Sequence, residues 1–154
     1  MVMNYADPTA LSEDAPAGAL EGKTDEELGR LLTHASRLMR KATRRARYDT
    51  DEAGNPTRPN TIEAFRAATT AQVIMWIVYG VADDVLSGGL SVAPTIDTSS
   101  ENGASIKLDN STAQESRMRI LSGGLAPEAR AALDDEGLLD GLPTVRNRGG
   151  QFYV

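Results

Sequence analysis

The sequence predicts a mainly α protein: a small helical bundle around two long antiparallel helices, with a β-hairpin or long loop insertion and extended terminal arms. Three observations predict it. Residues 24–47 repeat apolar side chains at helical spacing behind a strong start signal. Residues 60–79 repeat them again and hold the only Trp. Gly and Pro then punctuate the rest into short pieces.

Taken in order, residues 1–23 carry Pro8, Pro16, Gly18, Gly22 and scattered acids with no visible period. Such a segment is expected to be a flexible tail, because it offers little apolar surface to offset the entropy of ordering. The start also lacks a basic region followed by an apolar run, so no signal peptide is expected.

Thr24-Asp25-Glu26-Glu27 reads as a capping box, and its acids suit the positive end of a helix. Leu28, Leu31, Leu32, Ala35, Leu38, Met39, Ala42 and Ala46 form the apolar stripe of a helix running to about residue 47. His34 lies at the stripe's edge and reads as a packed residue rather than a ligand. Arg30, Arg37, Arg40, Lys41, Arg44, Arg45 and Arg47 gather opposite the stripe: seven of the chain's 16 Lys and Arg in a protein of net charge −6. Cations suit a helix C-terminus, which is the bland reading. The local sign opposes the global one, however, so Arg37, Arg40, Lys41, Arg44 and Arg45 are candidates to face DNA phosphates or an acidic partner.

Tyr48 to Pro59 is a turn-rich connection. Asp49, Asp51 and Gly54 echo the opening of a calcium loop, but Ala53 and Asn60 occupy positions where oxygen ligands belong, so no metal is expected.

The second long helix is expected over 61–80, with Asn60 or Thr61 as cap. Ile62, Phe65, Ala68, Gln72, Val73, Trp76 and Tyr79 share one face at helical spacing. Val73 to Tyr79 is apolar on every side and needs cover on every side. Phe65, Val73, Trp76 and Tyr79 are therefore core or interface candidates, and for the outer positions both readings stay open. The apolar run is far short of the roughly 20 residues of a membrane span.

Asp83 to Leu86 can add a turn before Gly88-Gly89. Leu90–Ile96 and Ala104–Leu108 have β character around a polar tip, which predicts a hairpin near 90–109. Asn110 to Leu121 can form a helix, with Thr112 and Glu115 in capping-box positions and Ala113, Met118 and Leu121 as the residues to turn inward. Pro127 opens a short helix through Leu133, Gly137 closes it, and Leu138 and Leu139 pack back. Residues 141–154 have no period. They combine Arg146, Arg148 and a Gly pair with the apolar Phe152, Tyr153 and Val154, and are read as an arm that docks on a partner. The expected organisation is thus a tail over 1–23, a helical domain over 24–140 and an arm over 141–154.

Composition bounds the chemistry. With no Cys and a single His, thiolate and multi-His metal sites are excluded and a His-based triad is not expected. The Gly pairs lack the strand and Lys of a phosphate loop, and the paired carboxylates are sequence neighbours in exposed segments. No catalytic residue and no cofactor are expected, and the acidic balance argues against a general nucleic-acid binder.

The order of four motifs carries a resemblance. LLTHASRLMRKATRRARY is followed by DTDEAGNPTRP, then FRAATTAQVIMW, then LAPEARAALDDEGLL. Over roughly residues 24–140 the chain resembles the head-tail adaptor (connector) proteins of long-tailed bacteriophages, particularly those infecting actinobacteria. The stretch from Ser91 to Leu108 departs from that pattern. The resemblance implies a non-enzymatic virion protein of the neck, assembled in the host cytoplasm. Its copies form a ring, usually of twelve, beneath the portal protein. The ring extends the channel for genomic DNA and receives a stopper or other neck protein. In that family a terminal arm often grips the portal, so the arm with Arg146, Arg148, Phe152, Tyr153 and Val154 is expected to dock first on the portal and second on a neighbouring copy. The residues themselves leave a second reading open, a small helical DNA-binding or regulatory protein using the basic helix 30–47.

Overall fold

A computed structural model describes residues 3–88 and 111–139. Within them the chain forms six α-helices: α1 (Pro8–Asp14), α2 (Asp25–Ala42), α3 (Pro59–Val78), α4 (Ala82–Leu86), α5 (Ser111–Leu121) and α6 (Pro127–Asp135). No strand occurs among the described residues beyond one antiparallel bridge, Thr50 to Pro56. The fold is mainly α, as the two periodic stretches predict. The expected hairpin near 90–109 and the arm over 141–154 lie outside the described residues.

Helix α2 starts as the sequence predicts. Thr24 Oγ1 accepts from the Glu27 amide at 3.2 Å, and the Glu27 carboxylate accepts from the Thr24 amide at 2.8 Å. It stops earlier than expected, at Ala42 rather than near 47. Past Ala42 the pattern tightens: the Arg44 and Ala46 amides donate only three residues back, to the Lys41 and Thr43 carbonyls, while the enclosed Thr43 hydroxyl donates to the Met39 carbonyl at 3.0 Å. The chain then turns, and the Tyr48 ring reaches Phe65 at 5.4 Å between centroids.

Helix α3 is the axis. It starts at Pro59, whose missing amide costs nothing in a first turn, with Arg58 at the cap. Neither Asn60 nor Thr61 caps it, contrary to expectation. Thr61 is instead buried and donates to Glu136 Oε1 at 3.2 Å. At the far end Gly80 takes φ 68°, Gly80 N donates to Ile77 O and Val81 N to Trp76 O. These paired bonds satisfy the last carbonyls and turn the chain into α4. Gly137, at φ 71°, ends α6 in the same way and returns Leu138 to the core, as predicted.

Two clusters form the core. In one, Leu28, Leu31, Leu32 and Ala35 from the first half of α2 meet Val73 and Trp76 from the last half of α3, with Leu11 and Val81. In the other, Met39 from the end of α2 meets Ala64, Phe65 and Ala68 from the start of α3, with Ala129, Leu133 and Leu138. Opposite ends of the two long helices therefore meet. Leu38 and Ala42 are half-buried rather than enclosed, because the enclosed line of α2 runs through Leu32, Ala35, Ser36, Met39 and Thr43 and they lie at its edge.

The N-terminal segment corrects the sequence reading. Residues 3–23 join the helical body instead of hanging from it. Asp7 caps α1 by accepting from the Ala10 amide at 2.8 Å, and Pro8 opens it. Leu11 is wholly enclosed, and burying such a side chain stabilises by about 1.5–3 kcal/mol. Tyr5 stacks on Phe65 at 4.4 Å, its amide donates to Ser36 Oγ at 3.1 Å, and Thr70 donates to Asp14 at 3.1 Å. One leucine and one tyrosine, too few to show a period, anchor the segment.

Two further expectations change. Ile62 and Tyr79 are exposed, because the inward face of α3 runs through Thr61, Ala64, Phe65, Ala68, Thr69, Gln72, Val73 and Trp76. Helix α5 begins at Ser111, so Thr112 lies inside it. Met118 is 63% exposed, while Leu121 packs partly on the core as expected.

Candidate functional site

Two surfaces concentrate the residues singled out by sequence. The first is the basic end of α2. Arg37 and Lys41, four residues apart on one helix face, are exposed, and Arg44, Arg45 and Arg47 are exposed on the turn that follows. None of these five has an acidic partner within salt-bridge distance among the described residues. Arg40 differs. It is half-buried, its Nε donates to Tyr5 Oη at 3.3 Å, and its guanidinium carbon lies 5.8 Å from the Tyr5 ring centre. Arg40 is therefore partly engaged in holding the N-terminal segment. Because α2 stops at Ala42, Arg44 and Arg45 project from a turn rather than along a helical stripe.

His34 sits half-buried three residues before Arg37. Burial, and secondarily the Arg37 charge, push its imidazole below the ordinary histidine range, so it favours the neutral form. The acidic loop after Tyr48 is occupied by its own bonds. Asp51 Oδ1 accepts from the Ala53 and Asn55 amides, both at 2.9 Å, and Oδ2 accepts from Asn55 Nδ2 at 3.1 Å. The Asn55 amide in particular holds the Asp51 carboxyl below its usual range. Asp49 pairs with Arg58 at 2.8 Å. No group of three or more potential metal-ligating side chains comes together among the described residues.

The second surface is an apolar groove of about 250 Å³ between the last turns of α3 and the start of α6. Ala71, Ile74, Met75, Val78 and Tyr79 form one wall, and Ala126, Pro127 and Glu128 form the other. Val78 is 61% exposed and Tyr79 56%. A buried glutamine holds the walls in register. Gln72 Oε1 accepts from the Ala126 amide at 2.7 Å, and its Nε2 donates to the Gly124 carbonyl at 3.2 Å. Both ends of the amide are thus satisfied without water in an enclosed site.

Of the sequence-derived core or interface candidates, Phe65, Val73 and Trp76 lie inside and Tyr79 lies outside on the groove wall. The candidates Arg146, Arg148, Phe152, Tyr153 and Val154 lie outside the described residues. Sequence reading did not pair α3 with Pro127 and Glu128. The available signal was that Val73–Tyr79 is apolar all round and so needed a second covering element. No described helix is long and apolar enough to cross a membrane. No protein-family model, no curated protein and no solved structure matches this chain.

Proposed function

We propose that this chain is a structural virion protein, a head-tail adaptor whose copies form a ring of twelve beneath a portal protein. In this reading the ring extends the DNA channel and joins the head to the next neck protein. The subunit is a helical bundle about two long antiparallel helices, with a hairpin insertion near 90–109 and an arm over 141–154. It carries no catalytic site and works by contact alone. The observation that carries the reading is the exposed apolar end of α3. Val78 and Tyr79 stand on a groove that the described residues of one copy leave open, as a subunit made to be covered by its neighbours would. The ordered run of four motifs supports the same reading. The unpaired Arg37, Lys41, Arg44 and Arg45 would face either the phosphates of DNA in transit or the acids of an adjacent subunit, in an otherwise acidic chain.

The test is an image of the particle neck with this chain labelled, together with the neighbouring genes, which should encode portal, capsid and tail proteins. A label found off the neck, or absent from particles, overturns the reading. Exchanging Arg44 and Arg45 for Glu should impair assembly or genome retention while the chain stays folded. Normal particle number and infectivity would leave the basic turn as a merely solvated surface.

The basic turn favours one second reading, a small helical DNA-binding or regulatory protein. It predicts salt-dependent binding of duplex DNA by the isolated chain at low stoichiometry. The adaptor reading predicts weak, sequence-independent binding, because the net charge is −6.

A further inference from the structure

Resting on the ring reading above, we propose that the groove between α3 and α6 receives the C-terminal segment Arg146–Val154 of the adjacent copy, with Phe152, Tyr153 and Val154 seated against Ile74, Met75, Val78 and Pro127. Four observations lead there. The groove is apolar and walled by Val78 and Tyr79, large side chains left more than half exposed. Such a groove suits an apolar segment that brings its own aromatic anchors. This sequence carries one such segment after the last described helix, Phe152-Tyr153-Val154, behind a Gly pair. Charges also complement: Glu128 lies on the groove wall, and Arg146 and Arg148 precede the aromatic residues in the segment.

The donor and acceptor points also lie at opposite ends of α6. The groove uses Ala126, Pro127 and Glu128 at its start, and the chain leaves through Leu138 and Leu139 beyond its end. The fifteen residues after Leu139 can span at most about 50 Å when extended. Helix α3, the longest described, is only about 30 Å long. Extended, the segment is long enough to reach a neighbouring subunit. A contact between two different patches of identical chains is head-to-tail, and head-to-tail contacts close into a ring when the rotation between copies permits. The groove and the segment would thus be the two halves of one repeating subunit contact.

The absence of cysteine makes the test direct. Val78→Cys is made in one full-length chain and Tyr153→Cys in another that carries a mass tag. They are mixed under conditions where the wild-type chain assembles, then oxidised. A seated segment brings the two Cα atoms within the narrow range a disulfide requires. The expected result is a disulfide-linked pair of unequal chains, formed several-fold faster than with Glu52→Cys in place of Val78→Cys. Glu52 is exposed on the loop before α3, at the far end of that helix from the groove, so it serves as the control. Val78 is exposed, so its replacement leaves the fold intact.

Two results overturn the proposal. One is a mixed pair no faster than the control. The other is a disulfide that forms only inside a doubly substituted chain, which would mean that each copy covers its own groove. A failed cross-link with rings still visible in the particle neck removes this contact and leaves the adaptor reading standing. A specific cross-link in a chain absent from the neck removes the adaptor reading and leaves the contact.

Discussion

The two halves of α3 are covered in inverse order of their need: the second half, apolar on every side, keeps the barer surface. In the first half, Phe65 lies between the rings of Tyr5 and Tyr48, and α6 closes over it through Ala129, Leu133 and Leu138. Its polar neighbour Thr61 is paired as well, to Glu136. In the second half, Val73 and Trp76 are enclosed, yet Val78 and Tyr79 two and three residues on are exposed. The buried Trp76 Nε1 has no hydrogen-bond partner among the described residues. An all-round apolar helix is closed only where other elements supply enough faces. At the start of α3 the N-terminal segment, the turn after α2 and α6 supply them. At its end α1, α2 and α4 cover the inner side and leave the outer side as a groove wall.

That contrast can be broken at its closed end. Phe65→Ala should cost about 3–5 kcal/mol of unfolding free energy, because three elements converge on the ring and cannot all collapse into the space left. Urea denaturation would measure it, and a loss under 1 kcal/mol would mean that the first half is not the tight one. Trp76→Ala should cost a similar amount if the enclosed face of the second half is equally well packed, so comparing the two sharpens the contrast.

The join between the halves comes next. Gln72→Ala strands the Ala126 amide and the Gly124 carbonyl, and an unmet buried group costs about 1–3 kcal/mol. Hydrogen exchange at the Ala126 amide should accelerate more than in the rest of α6. Uniform acceleration would show that Gln72 supports the whole fold and not the groove wall alone.

Thr24→Ala should cost about 1 kcal/mol by removing the cap of α2. The Thr24 amide, and then its hydroxyl, hold the Glu27 carboxyl below its ordinary range. The unfolded chain therefore takes up that proton at higher pH than the folded one. This contribution is full above the ordinary Glu pKa and fades as pH falls through the folded value. Thr24→Ala keeps that amide, so the pH test uses Glu27→Gln: its penalty should shrink on acidification, and one independent of pH would exclude the carboxylate half of the box as its source.

His34 should give a smaller effect in a different window. Its folded pKa is depressed, so the unfolded chain protonates first and stability falls as pH drops below the ordinary value of 6.5. Unfolding curves between that pH and the acid side should separate His34→Gln from the wild type only below it. Smallest of all, Val78→Ser should leave the stability of the single subunit within about 0.5 kcal/mol, since the side chain is already wet. A larger loss would mean that the groove is shut in the free chain.

The sequence alone determined the helical class, the capping box that starts α2, the Pro-to-Gly bounds of α6 and the enclosure of Phe65, Val73 and Trp76. These follow from period, cap chemistry and backbone restriction, all written within a few residues. Only the tertiary structure decided that residues 3–23 belong to the body, because one Leu11 and one Tyr5 have no period but do have Phe65 and α2 to land on. It also decided where α2 stops, since the chain turns after Ala42 and brings the Tyr48 ring to Phe65. Which outer residues of α3 stay bare was decided by α6, whose arrival depends on a buried Gln72 bonding to a backbone 52 and 54 residues away. A local pattern says that a helix needs cover; the number and placement of its neighbours say how much cover it receives.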